Sequence, residues 1–83
     1  MSQDKTRRFN LNDIDSKLIH SILDAVWNAL EERGYNPSNQ IVGYLISGDP
    51  GYISSYKDAR SKIQEIDRAK IVEVLLQEFY RDK

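Results

Sequence analysis

The chain has 83 residues, of which 40% are hydrophobic and 30% charged, with a formal net charge of −1 and no cysteine. These values predict one soluble domain and exclude a disulfide framework, a cysteine-based metal site and nucleic-acid binding through bulk positive charge. No apolar run reaches the ~20 residues of a membrane span, and the N-terminal segment is charged, so we expect a cytoplasmic protein without membrane insertion.

Residues 1–12 differ in composition from the rest of the chain. Lys5, Arg7 and Arg8 against Asp4 give this segment a net charge of +2, whereas the other nine basic and twelve acidic residues give −3. The segment lacks apolar periodicity, so we expect a disordered basic tail before a single helical domain, residues 13–83. Thr6, the only threonine of the chain, lies among these cations.

The next segment predicts an amphipathic helix at about residues 14–32. Its apolar residues recur at steps of three and four, and Arg33 and Gly34 form a typical helix end. The apolar stripe is wider than one neighbouring helix requires, which favours a homodimer. The predicted interface residues are Leu23, Val26 and Trp27, with the alternative that Trp27 fills the protomer's own core.

The central stretch, residues 34–53, contains all four glycines and both prolines. Asn36 and Pro37 predict the start of a helix that continues to about residue 47. Gly48 occupies a position typical of a left-handed helix end. Gly43, inside this helix, indicates the close approach of a neighbouring helix, and residues 49–56 are predicted as a connection.

Two further helices are predicted, at about residues 55–66 and 68–81, with a break near Asp67 that lets the chain fold back. One continuous helix from 56 to 81 is the alternative. The second helix is expected to bury five apolar residues, namely Ile71, Val72, Leu75, Leu76 and Phe79. Since no segment alternates with period two, we predict an all-α bundle of three to five short helices.

No pattern of catalytic or metal-binding residues is present. His20 is the only histidine, and the glycines do not match a phosphate-binding loop. We therefore expect no enzyme, no metal and no cofactor.

One face of a continuous helix from 56 to 81 would carry Lys57, Arg60 and Arg68. This makes them candidates for partner binding, although a solvated charged surface explains them as well. These cations and the tail leave a small nucleic-acid-binding domain as the alternative function.

The central stretch is identified as similar to the IreB family of regulatory phosphoproteins. The similarity also includes the tail, where Asp4-Lys5-Thr6 followed by Phe9 resembles the family's phosphoacceptor segment. The central residues that carry it are Gly34-Tyr35-Asn36-Pro37, Asn39-Gln40-Ile41-Val42-Gly43-Tyr44, Ser47-Gly48-Asp49-Pro50, Tyr52-Ile53 and Ala59-Arg60.

The resemblance implies a non-enzymatic, all-helical homodimer from Gram-positive bacteria. It further implies that a membrane Ser/Thr kinase with extracellular PASTA repeats phosphorylates Thr6. Members of the family control cell-envelope synthesis and resistance to cell-wall antibiotics. In part of the family this control acts through proteolysis of an early peptidoglycan-synthesis enzyme by a Clp-type protease.

The chain departs from the family pattern at two places. Gln3 stands near the position of a second acceptor threonine. Ser54-Ser55 and Gln64 occupy a region where many members have Pro-Arg and further arginines, whereas Arg60 is kept.

Phosphorylation adds about −1.5 to −2 charges, which nearly cancels the charge of the tail. The modified tail is then expected either to leave the acidic body or to dock its phosphate on an arginine such as Arg60.

Overall fold

The computed structural model describes the backbone of residues 4–81 and the side chains of residues 16–81. The regular secondary structure of this part of the chain is all helical, as predicted, and contains no strand. Two 3₁₀ turns, Pro50–Tyr52 and Tyr56–Asp58, connect the second and third helices. The four α-helices are α1 (Asp4–Glu32), α2 (Pro37–Ser47), α3 (Ala59–Ile63) and α4 (Arg68–Tyr80).

Helix α1 begins at Asp4, which is ten residues before the start that the periodicity predicts. The earlier start has a simple reason: the sequence has no glycine or proline before Gly34, so nothing in it stops an α-helix. Residues 1–3 of the expected tail lie outside the described residues, as do the side chains of its remaining residues. The disorder of the tail therefore stays a prediction.

The core lies along one face of α1, and the other three helices all pack on this helix. The stripe predicted from the sequence is confirmed in its central part. Burying each of its large aliphatic side chains contributes roughly 1.5–3 kcal/mol. The buried residues of α1 are Ile19, Ile22, Val26, Ala29 and Leu30.

The chain breaks before α4, as predicted, because α3 ends at Ile63 and Asp67 takes the N-cap position of α4. The continuous helix from 56 to 81 is therefore wrong. Helix α3 is also shorter than expected, since the 3₁₀ turn Tyr56–Asp58 precedes it. Of the five apolar residues of α4 that were predicted to be buried, only Ile71 is buried. Val74, which was not predicted, is also in the core.

The other four residues that we expected in the core of α4 lie on its exposed side. Phe79, for example, is 61% exposed. Helix α4 carries two apolar stripes, and the protomer's own helices cover only one of them. We call the exposed stripe the α4 apolar face; it consists of Val72, Leu75, Leu76 and Phe79.

Candidate partner-binding site

The start of α2 is fixed by side chains of the central stretch. The Asn36 Oδ1 atom accepts a hydrogen bond from the backbone N–H of Asn39 at 3.0 Å, which satisfies one free donor at the helix start. Pro37 follows at the first helical position, where no N–H is needed. Gln40 then donates from Nε2 to the carbonyl of Tyr52 at 2.9 Å. This bond holds the 3₁₀ turn Pro50–Tyr52 against α2.

Gly43 provides the close approach that the sequence predicts, but its neighbour is a side chain and not a helix. The ring of Tyr52 lies so close that a Cβ atom at position 43 would be within 3.0 Å of three ring atoms. The contact is possible only because glycine has no side chain. Gly43 therefore acts in packing, between α2 and the turn that follows it.

The end of α2 is held in the same way. Ser47 Oγ donates to the carbonyl of Gly43 at 2.7 Å and accepts from the N–H of Asp49 at 3.0 Å. Gly48 has φ of 80°, a left-handed conformation that suits glycine. Asp49 Oδ1 accepts from the N–H of Gly51 at 2.8 Å. These polar side chains bond to the chain's own backbone, so they fix the local structure of the central stretch.

The turn Tyr56–Asp58 is strained. Lys57 has φ of 53° and Asp58 has φ of 63°, which places two consecutive non-glycine residues in the left-handed region. Such residues cost on the order of 1–3 kcal/mol each and persist where neighbouring contacts hold them. Here Lys57 Nζ lies 3.1 Å from Glu32 Oε1 at the end of α1. The Arg33 guanidinium and the Lys57 ammonium both lie over the Tyr56 ring, at 5.2 and 5.4 Å from its centre.

The same contacts shift the pKa values of Glu32 and Lys57. The hydrogen bonds that Glu32 accepts from Lys57 and Tyr56 hold the pKa of its carboxyl below its ordinary value. The hydrogen bond to Glu32, together with the charge of that carboxylate, raises the pKa of the Lys57 ammonium. Both effects favour the charged forms, so the ion pair is complete at neutral pH.

The three cations proposed for partner binding do not form one stripe, because the helix that would align them is broken. Lys57 contacts Glu32, Arg60 Nε donates to the carbonyl of Ile53 at 2.8 Å, and Arg68 Nη1 donates to the carbonyl of Leu45 at 3.1 Å. Lys57 thus binds a side-chain carboxylate, whereas the two arginines each bind a different backbone carbonyl. A nucleic-acid-binding surface needs cations that follow a phosphate backbone, and this arrangement does not favour one.

The predicted dimer residues have three different environments. Val26 is fully buried in the protomer's own core and exposes no surface to a second protomer. The helical period places it on the same side as Ile22 and Leu30, and the sequence alone does not tell which neighbour covers that side. Leu23 is partly buried against the core. Trp27 is 42% exposed and lies in a cleft.

This apolar cleft lies between α1, α2 and α4 and has a volume of about 410 Å³. It is continuous with the α4 apolar face, since Leu75 belongs to both. The sequence analysis did not predict this exposed apolar surface, because it expected the helix at about 68–81 to bury all five of its listed apolar residues. The apolar residues of the cleft are Leu23, Trp27, Ile41, Val42, Leu45 and Leu75, with His20, Asp24 and Ser38 beside them.

Thr6 lies in the first turns of α1 by its backbone position, and its side chain is outside the described set. Within the described residues, no group of three His, Cys, Asp or Glu side chains could hold a metal ion. No helix in this part of the chain is long and apolar enough to cross a membrane.

The fold and these surfaces define a small all-helical protein with an exposed apolar face and a structural central motif. A family model, described as IreB regulatory phosphoprotein, matches residues 4–81. The chain belongs to this family of regulatory phosphoproteins, as the sequence analysis predicted.

Proposed function

We propose that the protein is a non-enzymatic, cytoplasmic regulator that a PASTA-type membrane Ser/Thr kinase phosphorylates on Thr6. The observation that carries this proposal is the family match over residues 4–81, because this span includes Thr6, the only threonine in the chain. A phosphoprotein family requires a phosphoacceptor, and Thr6 lies among three cations in the segment that resembles the family's acceptor site.

The position of Thr6 on α1 limits what the phosphate can reach. In an intact α1, residue 6 is 26 residues before Glu32, which corresponds to roughly 39 Å along the helix axis. Glu32 contacts Lys57, and Arg60 lies three residues further on. The phosphate of an intact helix therefore does not reach Arg60 of the same protomer. We expect it instead to act at the start of α1, where negative charge is favourable, or on another molecule.

The downstream role proposed here follows the family resemblance. The protein controls cell-envelope synthesis and resistance to cell-wall antibiotics through protein–protein contacts. Its partners are a peptidoglycan-synthesis enzyme and a Clp-type protease that degrades this enzyme. Phosphorylation of Thr6 changes the charge of the N-terminal segment from +2 to about zero, and this change alters which partner binds.

Mass spectrometry after incubation with the purified kinase tests the site. We expect phosphate on Thr6, loss of nearly all labelling in Thr6→Ala, and unchanged labelling in the matched control Ser2→Ala. Strong labelling of Thr6→Ala would reject Thr6 as the acceptor. A pull-down with the phosphorylated and unmodified proteins then tests regulation, since capture of the same partners in equal amounts would contradict it.

We further propose that the protein is a homodimer formed through the α4 apolar face and the adjoining cleft. Four large apolar side chains at helical spacing, next to the half-exposed Trp27, form a continuous apolar surface. Such surfaces on small proteins usually meet a partner, and a two-fold pair is the commonest solution. The proposal replaces Val26 by residues of α4 and keeps Trp27 as an anchor.

Sedimentation equilibrium at micromolar concentration tests the dimer. The wild type is expected at twice the protomer mass of 9.6 kDa. Leu76→Asp places a charge in the α4 apolar face and should return the mass to 9.6 kDa. Gln77→Asp, an exposed neighbour outside this face, is the control and should stay dimeric. A monomeric wild type, or a dimer that survives Leu76→Asp, would reject the proposed interface.

A further inference from the structure

Helix α4 contributes few residues to the core of the described part of the chain. Of its thirteen residues, Ile71 and Val74 are buried there. The other ten residues of the core belong to α1, α2, α3 and the connection that contains Ile53. Most of the core therefore comes from the elements that precede α4 in the chain.

Among the described side chains, Arg68 and Glu78 make polar contacts near the two ends of α4. At its start, Arg68 Nη1 donates to the carbonyl of Leu45, and the Arg68 guanidinium lies over Gly48 at the end of α2. Near its other end, Glu78 Oε2 lies 3.4 Å from His20 Nε2 on α1. Both contacts lie at the surface, where water replaces them at little cost when the helix moves away.

The connection before α4 is suited to act as a hinge. Residues 64–67 link α3 to α4, and Asp67 at the N-cap makes no side-chain bond to the helix. Ile66 is partly buried against the core and holds the α3 side of this connection. A change of backbone angles after Ile66 would move α4 as a unit, without disturbing α3.

We propose that α4 opens as one cooperative unit, at a free energy well below that of global unfolding. Opening frees a thirteen-residue helix that exposes both of its apolar stripes, and it uncovers the apolar cleft. A partner that binds the opened helix shifts this equilibrium in its own favour. The helix is thus a conformational element that is independent of phosphorylation at Thr6, and its opening is a property of the protomer.

Native-state hydrogen exchange tests this proposal, since it reports the opening of each helix separately. In the full-length wild type, diluted until it is monomeric so that no second protomer covers α4, we expect the amides of residues 72–78 to share one opening free energy. They should exchange at least tenfold faster, after correction for intrinsic rates, than the amides of residues 22–30 in α1. Equal protection of α4 and α1 would overturn the proposal, because α4 would then open only when the whole protein unfolds.

The role of Arg68 is tested by a matched pair of variants. Arg68→Ala should lower the protection of the α4 amides roughly three- to tenfold, as expected for the loss of one exposed hydrogen bond to a charged group, and should leave α1 unchanged. Arg60→Ala also removes an arginine that donates to a backbone carbonyl, but it should not affect α4. An equal loss of protection in α1 and α4 in Arg68→Ala would contradict a hinge at residues 64–67.

Discussion

Segment 36–60 and helix α4 differ in what their side chains bond to. In segment 36–60, polar side chains bond to the backbone of the same segment, and glycines stand where the chain approaches itself closely. In α4, the four apolar side chains of the α4 apolar face are exposed, and two others lie in the core. The most distinctive part of the sequence thus builds local structure, whereas a less distinctive helix exposes apolar surface.

The largest expected effect comes from a core residue of segment 36–60. Ile53 is fully buried behind the 3₁₀ turn Pro50–Tyr52, and Ile53→Ala should lower the free energy of unfolding by about 2–5 kcal/mol. Leu76→Ala, in the α4 apolar face, should change it by less than about 0.5 kcal/mol in the monomer. Urea denaturation at low protein concentration measures both. Similar losses would mean that the α4 apolar face is packed within the protomer.

The contact between Gly43 and Tyr52 should give the next largest effect. Gly43→Val places a branched side chain where the Tyr52 ring lies, and such overpacking costs about 1–3 kcal/mol. Combining it with Tyr52→Ala should remove most of this penalty, because the space is then free. A thermodynamic cycle over the four proteins provides the measurement. Additive effects would show that the ring does not limit position 43.

A stabilising change is expected in the strained turn. Asp58 has φ of 63° and makes no side-chain bond to the helix that it precedes. Asp58→Gly should raise the free energy of unfolding by up to about 1 kcal/mol, because glycine adopts this conformation without steric cost. Ser61→Gly in α3 is the control and should lower it by about 0.5–1 kcal/mol. A loss of stability in both variants would show that Asp58 is not strained.

The smallest effect concerns the ion pair between Glu32 and Lys57. Since the pKa of Glu32 is lowered in the folded state, its stabilising contribution is present above the ordinary pKa of 4.5 and is lost as the pH falls through the folded-state value. The melting temperatures of wild type and Glu32→Gln should therefore differ slightly at pH 7 and converge once the pH falls below the folded-state pKa of Glu32. Salt should reduce the difference at pH 7. A difference that persists in acid, where the carboxyl is protonated in both states, would reject this ion pair as its origin.

The local chemistry of the sequence predicted much of the fold. Apolar residues that recur at steps of three and four predicted the central part of α1. The two ends of α2 were predicted from Asn36, Pro37 and Gly48. Asp67 predicted the break before α4. These predictions succeed because helix periodicity, capping and left-handed glycine are properties of a few neighbouring residues. The family was predicted from a different signal, the resemblance of the central stretch, of Ala59-Arg60 and of the segment Asp4-Lys5-Thr6 to the family's motifs.

The tertiary structure determined which helix faces are buried and which side chains contact each other. The sequence showed that α4 is apolar, but only the packing of α1 and α2 determined that Ile71 and Val74 are covered while Leu76 and Phe79 are exposed. The sequence indicated a close approach at Gly43, but it did not show that the neighbour is the Tyr52 ring. The physical reason is that a periodic pattern defines the faces of a helix, whereas the burial of each face depends on elements that are distant in the chain.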